Sequence, residues 1–170
     1  MTFYTDKWIL GSLDSKELIL VRKSKRNLFL ERISQTIKGN RTLLTKEILE
    51  EFDVSLSADT IYILYQNTNG HLILNVIKGD KIEEKCLTNT AISEVFSLCL
   101  EVKDKYIHIL YTIKGKDEKC FINHHFYDGA NWNDILVDEI SVKKVINPMK
   151  AVFMDEKLLL VYYRDQYKIS

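Results

Sequence analysis

The closest gathering of histidine and cysteine is Cys120, His124 and His125, a donor set that would suit zinc if the side chains converged. On a strand, positions 120 and 124 share a face but stand about 13 Å apart, too far to share one ion. They read instead as a buried cysteine and two histidines turned to opposite faces of one strand. There is no second pair at zinc spacing. Neither a Gly-rich phosphate loop nor a Ser or Cys nucleophile elbow occurs, so no catalytic residue, metal ligand or cofactor is expected. Arg22-Lys23-Ser24-Lys25-Arg26 is the densest basic cluster; it suits phosphate, or more plainly a solvated hairpin tip. Aromatic residues offer a second kind of chemistry. Tyr65, Tyr111, Tyr162, Tyr163 and Trp132 could form a platform for sugar or peptide, or could pack between sheets with their hydroxyls at the rim. The candidate binding residues are Tyr65, Tyr111, Trp132, Tyr162 and His108.

The elements that must position these residues come in copies. Ile61-Tyr62-Ile63-Leu64-Tyr65 recurs as Ile107-His108-Ile109-Leu110-Tyr111, as Glu17-Leu18-Ile19-Leu20-Val21 and as Leu158-Leu159-Leu160-Val161-Tyr162. The closing positions 21, 65, 111 and 162 are separated by 44, 46 and 51 residues. Before each copy lies a short apolar stretch ending in an acidic residue, Asp14, Asp59, Asp104 or Asp155. Val54, Leu56 and Ala58 alternate, as do Leu98, Leu100 and Val102, and a period of two denotes strand. The acidic residues read as turn formers. After the repeated segment, turns such as Asn67-Thr68-Asn69-Gly70 lead into third strands at Leu28–Ile33, His71–Ile77 and Cys120–Tyr127. Further turns at Lys38-Gly39-Asn40, Lys78-Gly79-Asp80 and Asp128–Asn131 lead into fourth strands at Leu43–Leu49, Lys81–Leu87 and Trp132–Val137. Leu43, Leu44, Ile48, Leu49 and Phe52 would equally line one side of a helix, and Asn89–Phe96 is open to a short helical turn.

Four antiparallel strands per unit, radially repeated, make β-propeller blades. The fold class is all-β: an array of four-stranded antiparallel blades in one repeat domain, 1–170. Units span about 6–50, 51–94 and 95–147, with a partial unit at 148–170. The second strand of each unit is apolar at nearly every position, as burial on both faces requires. A blade buries its faces only against neighbours, so an arc of three and a half blades leaves an apolar face at each end. The expected partners are a second copy, two chains supplying seven blades, or further blades of a longer chain.

Asp104, Ile107-His108-Ile109-Leu110-Tyr111 and Tyr127-Asp128-Gly129-Ala130-Asn131-Trp132 resemble bacterial β-propeller repeats of the sialidase-like and YD-type kind. Sialidase Asp-boxes read Ser-x-Asp-x-Gly-x-x-Trp, whereas Gly129 directly follows Asp128 and no Ser precedes it at the required place. The resemblance implies the propeller fold and raises a glycan-active enzyme as an alternative. Such an enzyme needs two close carboxyl groups, or a Tyr nucleophile with an arginine cluster. Of Arg22, Arg26, Arg32, Arg41 and Arg164, four fall in the first unit, so a triad drawn from separate blades is not supported. The leading expectation is a non-catalytic scaffold or recognition module for protein or glycan. A structural oligomerisation domain is a third reading.

Composition narrows the classes further. The 170 residues carry 24 Lys+Arg and 24 Asp+Glu, so no net field draws the chain to nucleic acid or an anionic membrane. At 46% hydrophobic and 11% aromatic it is too apolar for disorder. No apolar run approaches the roughly 20 residues of a membrane helix, and Met1 to Gly11 lacks the pattern of a secretory signal. Three cysteines, an odd number without tight spacing, argue for free thiols and a cytoplasmic setting. Abundant Lys, Ile, Asn and Tyr with one Pro match the usage of an AT-rich bacterial genome.

Overall fold

Alternating apolar residues and tight turns fold the described residues into fourteen antiparallel strands. The computed structural model describes residues 6–13, 17–34, 39–141, 149–155 and 157–163, and among them there is no helix. Four strands form the first sheet: β1 (Lys7–Ser12), β2 (Glu17–Ser24), β3 (Asn27–Ser34) and β4 (Asn40–Thr45). The second comprises β5 (Ile48–Ser57), β6 (Thr60–Asn67), β7 (Leu72–Lys78) and β8 (Lys81–Cys86). The third comprises β9 (Val95–Lys103), β10 (Tyr106–Lys114), β11 (Lys119–Tyr127) and β12 (Trp132–Ser141). A two-stranded sheet, β13 (Met149–Met154) and β14 (Lys157–Tyr162), follows. Within each sheet the strands pair in chain order, so the fold is an all-β array of four-stranded antiparallel blades of the β-propeller kind. The chain divides into two compact units, residues 1–91 and 92–170.

In the first unit, Ile19, Val21, Leu28 and Leu30 of the first sheet share a core with Ile48, Phe52, Ile61, Ile63, Tyr65, Ile73 and Ile77 of the second. Gly11 permits this approach: a Cβ there would meet Leu56 Cδ1 at 2.6 Å. In the second unit, Leu110, Cys120, Ile122 and Ile140 of the third sheet enclose a core with Met149 and Ala151 of β13.

The ambiguous segment 43–51 is strand, not helix. Leu43 pairs with Phe29 on β3, the chain breaks at Lys46 and Glu47, and β5 begins at Ile48. A helix there would have stripped β3 of its outer partner and lifted Ile48 and Phe52 out of the core. Residues 89–94 likewise form no helix. The two-residue hairpin loops place their first residue in the left-handed region, as such turns require: Lys25 (φ 56°), Ala58 (φ 50°), Gly79 (φ 57°), Asp104 (φ 55°) and Asp155 (φ 54°). Asp104 and Asp155 thus occupy the bend itself, whereas in the second blade Ala58 does and Asp59 follows it. Asp14, Lys38, Pro148 and Arg164 lie outside the described residues.

Candidate functional site

Alternation along β11 sends His124 and Phe126 to one face of the third blade, His125 and Tyr127 to the other. On the first face His108, opposite Phe126 in register, brings Nδ1 to 3.0 Å from His124 Nε2. The two imidazoles stack at 5.1 Å, Phe126 stacks on His124 at 4.8 Å, and Phe153 of β13 meets His108 edge-on at 5.4 Å. Burial lowers the His108 pKa. Burial, reinforced by His108 and His125, brings His124 down to about 4. Both rings are therefore neutral at pH 7, one donating a hydrogen bond and the other accepting it. Cys120 is buried in the core below them. Among the described residues, no three of His, Cys, Asp and Glu gather as a metal site.

On the opposite face lie Tyr111, His125, Tyr127, Trp132 and Asp134. Register sets Trp132 opposite Tyr127 and Asp134 opposite His125. Trp132 stacks on His125 at 4.7 Å, with Tyr127 tilted against it at 5.4 Å. His125 Nδ1 pairs with the exposed Asp134 carboxylate, while its Nε2 is buried without a hydrogen-bond partner. The Tyr-Asp-Gly turn holds the tryptophan in place. Asp128 Oδ1 accepts the backbone N–H groups of Asn131 (2.7 Å) and Ala130 (2.8 Å), which keep its carboxyl below the usual range. Gly129 takes φ 93°, a conformation that costs glycine nothing.

The recurrent tyrosines each lie beside a carboxylate from a fourth strand. The Tyr65 hydroxyl, buried in the first unit, donates to Glu84 Oε2 at 3.2 Å. Burial, with the Glu84 charge, pushes its pKa well above the phenol range. Tyr162 donates to Asp138 Oδ2 at 2.8 Å. Burial, then the charge of Asp134, raises Tyr111. Of the five residues expected to bind, Tyr65 belongs to the first unit and the other four to the second. His108 and Trp132 lie on opposite faces of the third blade. The structure gathers Trp132 with His125 and Tyr127, neither of which was among the expected binding residues. The strand pairing of Tyr127 with Trp132 across a short Asp-Gly loop was the available signal.

The basic cluster is divided between faces. Arg22 pairs with Asp6, and that bond holds the Asp6 carboxyl low. Lys23 is buried and pairs with Glu50 at 2.8 Å. Lys25 and Arg26 form the hairpin tip.

Exposed apolar side chains gather on two sheet faces, and Ile135, Leu136 and Val137 of β12 are exposed as well. On the first blade, the face turned from the core presents Trp8, 64% exposed, with Leu10, Leu18, Ile33 and Leu43. Asp6, Trp8, Leu10, Leu20 and Arg22 line a shallow groove of about 510 Å³ there. On the β13–β14 hairpin, one face packs on the third sheet while the other presents Val152, Met154, Leu159 and Val161, the last 68% exposed.

No protein-family model matches the chain, and no curated protein matches it in sequence. Among solved structures it is similar to the WD40 domain of SCAP from fission yeast, at 10% identity and a TM-score of 0.42. The match covers 89% of this chain and 56% of that one, so the chain spans just over half the length of that structure.

Proposed function

We propose that the chain is a non-catalytic β-propeller module that works by recognising protein through the faces of its blades. One contrast carries this reading. The groups suited to chemistry are engaged with one another, Tyr65 with Glu84, Tyr162 with Asp138, His125 with Asp134 and His108 with His124, while two apolar faces stand in solvent. Large exposed apolar patches on otherwise charged surfaces mark interaction sites. The balanced charge favours a protein partner over nucleic acid or membrane. Among the described residues no helix is long and apolar enough to cross a membrane, and the free thiols of Cys86, Cys99 and Cys120 fit a cytoplasmic setting.

The competing glycan-active reading is tested by incubating the full chain with fluorogenic aryl glycosides, a sialoside among them. No release above buffer is expected. Turnover that disappears in Tyr111→Phe or Asp134→Asn would overturn the proposal and make the Trp132 face an active site.

A further inference from the structure

We propose that the His108–His124 pair is an acid-sensitive latch, which holds the β13–β14 hairpin on the third blade at neutral pH and releases it as the pair takes up protons. This goes beyond the recognition-module reading and does not depend on it.

The pair lies where the hairpin meets the blade. At one end of that contact Met149 and Ala151 close the core over Leu110, Cys120, Ile122 and Ile140, and the Cys99 thiol approaches the Ala151 carbonyl at 3.9 Å. At the other end, beside the hairpin turn, Phe153 meets His108 edge-on and the Lys103 ammonium donates to the Asp155 carbonyl. Phe153 is the hairpin residue that shelters the pair from water.

Proton count decides what this end of the contact tolerates. His108 Nδ1 and His124 Nε2 stand 3.0 Å apart, and two neutral rings share one N–H···N bond there. One further proton keeps that bond but sets an imidazolium between Phe126 and Phe153, where water solvates it poorly. A second proton turns two N–H groups on each other with no acceptor between them. Lifting the hairpin takes Phe153 off His108 and returns the ring to water. The docked form therefore binds fewer protons than the released one, whose rings titrate near the ordinary value of about 6.5. Docking is full above that pH and weakens as the pH falls below it.

Among the described residues, the other titratable groups near the pair are Glu101, opposite His108 in register on β9, Lys103 on the same strand, His125 beside His124 and Asp155 at the hairpin turn. β12 sets Asn133 and Ile135 opposite Phe126 and His124, and β14 sets Leu158 opposite Phe153, all uncharged. The Glu101 carboxylate favours protonated rings, so it opposes release.

The thiols of the full chain supply the test. Cys86 is exposed on the second sheet, Cys99 is partly covered, and Cys120 is buried in the core that the hairpin closes. Labelling with dithiodipyridine, followed by peptide mass, gives the rates of Cys99 and Cys120 relative to Cys86, so that the shared loss of thiolate in acid cancels. Both ratios should rise at least about tenfold from pH 7 to pH 5. His124→Phe keeps a ring that takes no proton and should hold both ratios flat; His108→Phe replaces it if it does not fold. Glu101→Gln should keep the rise. In the unaltered chain, hydrogen exchange corrected for its intrinsic rate should quicken over the same range in β14 but not in β2 or β6. Ratios that ignore pH, a rise that survives both histidine substitutions, a rise lost in Glu101→Gln, or equal quickening of β2, β6 and β14 would each overturn the inference.

Discussion

His108 and His124 form a neutral pair in a setting that opposes charge. Their neighbours are the rings of Phe126 and Phe153, with the Lys103 ammonium 5.7 Å above Phe153 and His125 contributing from the same strand. Folding lowers both pKa values below the roughly 6.5 of an unfolded histidine. The unfolded chain then binds more protons between that value and the folded one. Stability is full above about pH 6.5 and is lost as pH falls toward 4. A urea midpoint that declines steadily over that range, with a shallower decline in His124→Phe, is the expected result; parallel slopes would remove the pair from the explanation. At the β11–β12 turn, Asp128→Ala deletes the acceptor for two backbone amides. In a Trp8→Phe background it should redden the Trp132 emission and lower the melting temperature by a few degrees, whereas an unchanged spectrum would show that the stack on His125 holds without the clamp.

Strand order was legible because alternation and turns speak locally. Val54 and Leu56 fit one period only, although Ala58, which continues that alternation, lies in the turn beyond β5, and Asn67 to Gly70 allows little but a turn. The passage from Leu43 to Phe52 fits two periods, and what decides it is remote: β3 needs an outer partner, and the core shared with β2 and β3 needs Ile48 and Phe52. The stack of Trp132 on His125 was hidden for a different reason. Trp132 faces Tyr127 in register across the Asp128–Asn131 loop, yet its ring stacks on His125, the diagonal neighbour, and pairing alone does not announce a diagonal contact. The close approach of β1 to β5 is equally specific. Gly11→Ala should cost about 1–3 kcal/mol, because Leu56 must move within a packed layer. Leu56→Ala alone should also destabilise, yet the double variant should lose less than the sum. Additive losses in denaturant titrations would place the strain elsewhere.

At the scale of the whole chain, apolar side chains stand in solvent on the first blade and on the β13–β14 hairpin. The strand order carries one more consequence. Every strand pairs only with those before and after it in sequence, so each blade closes on short-range contacts, the kind that form fastest. A chain emerging from the ribosome completes its first blade by Thr45, ahead of the strands that cover Ile19, Val21, Leu28 and Leu30. Synthesis and burial thus proceed in the same direction. One side of that first blade waits only for the next few dozen residues to cover it, while the side bearing Trp8 stays in solvent.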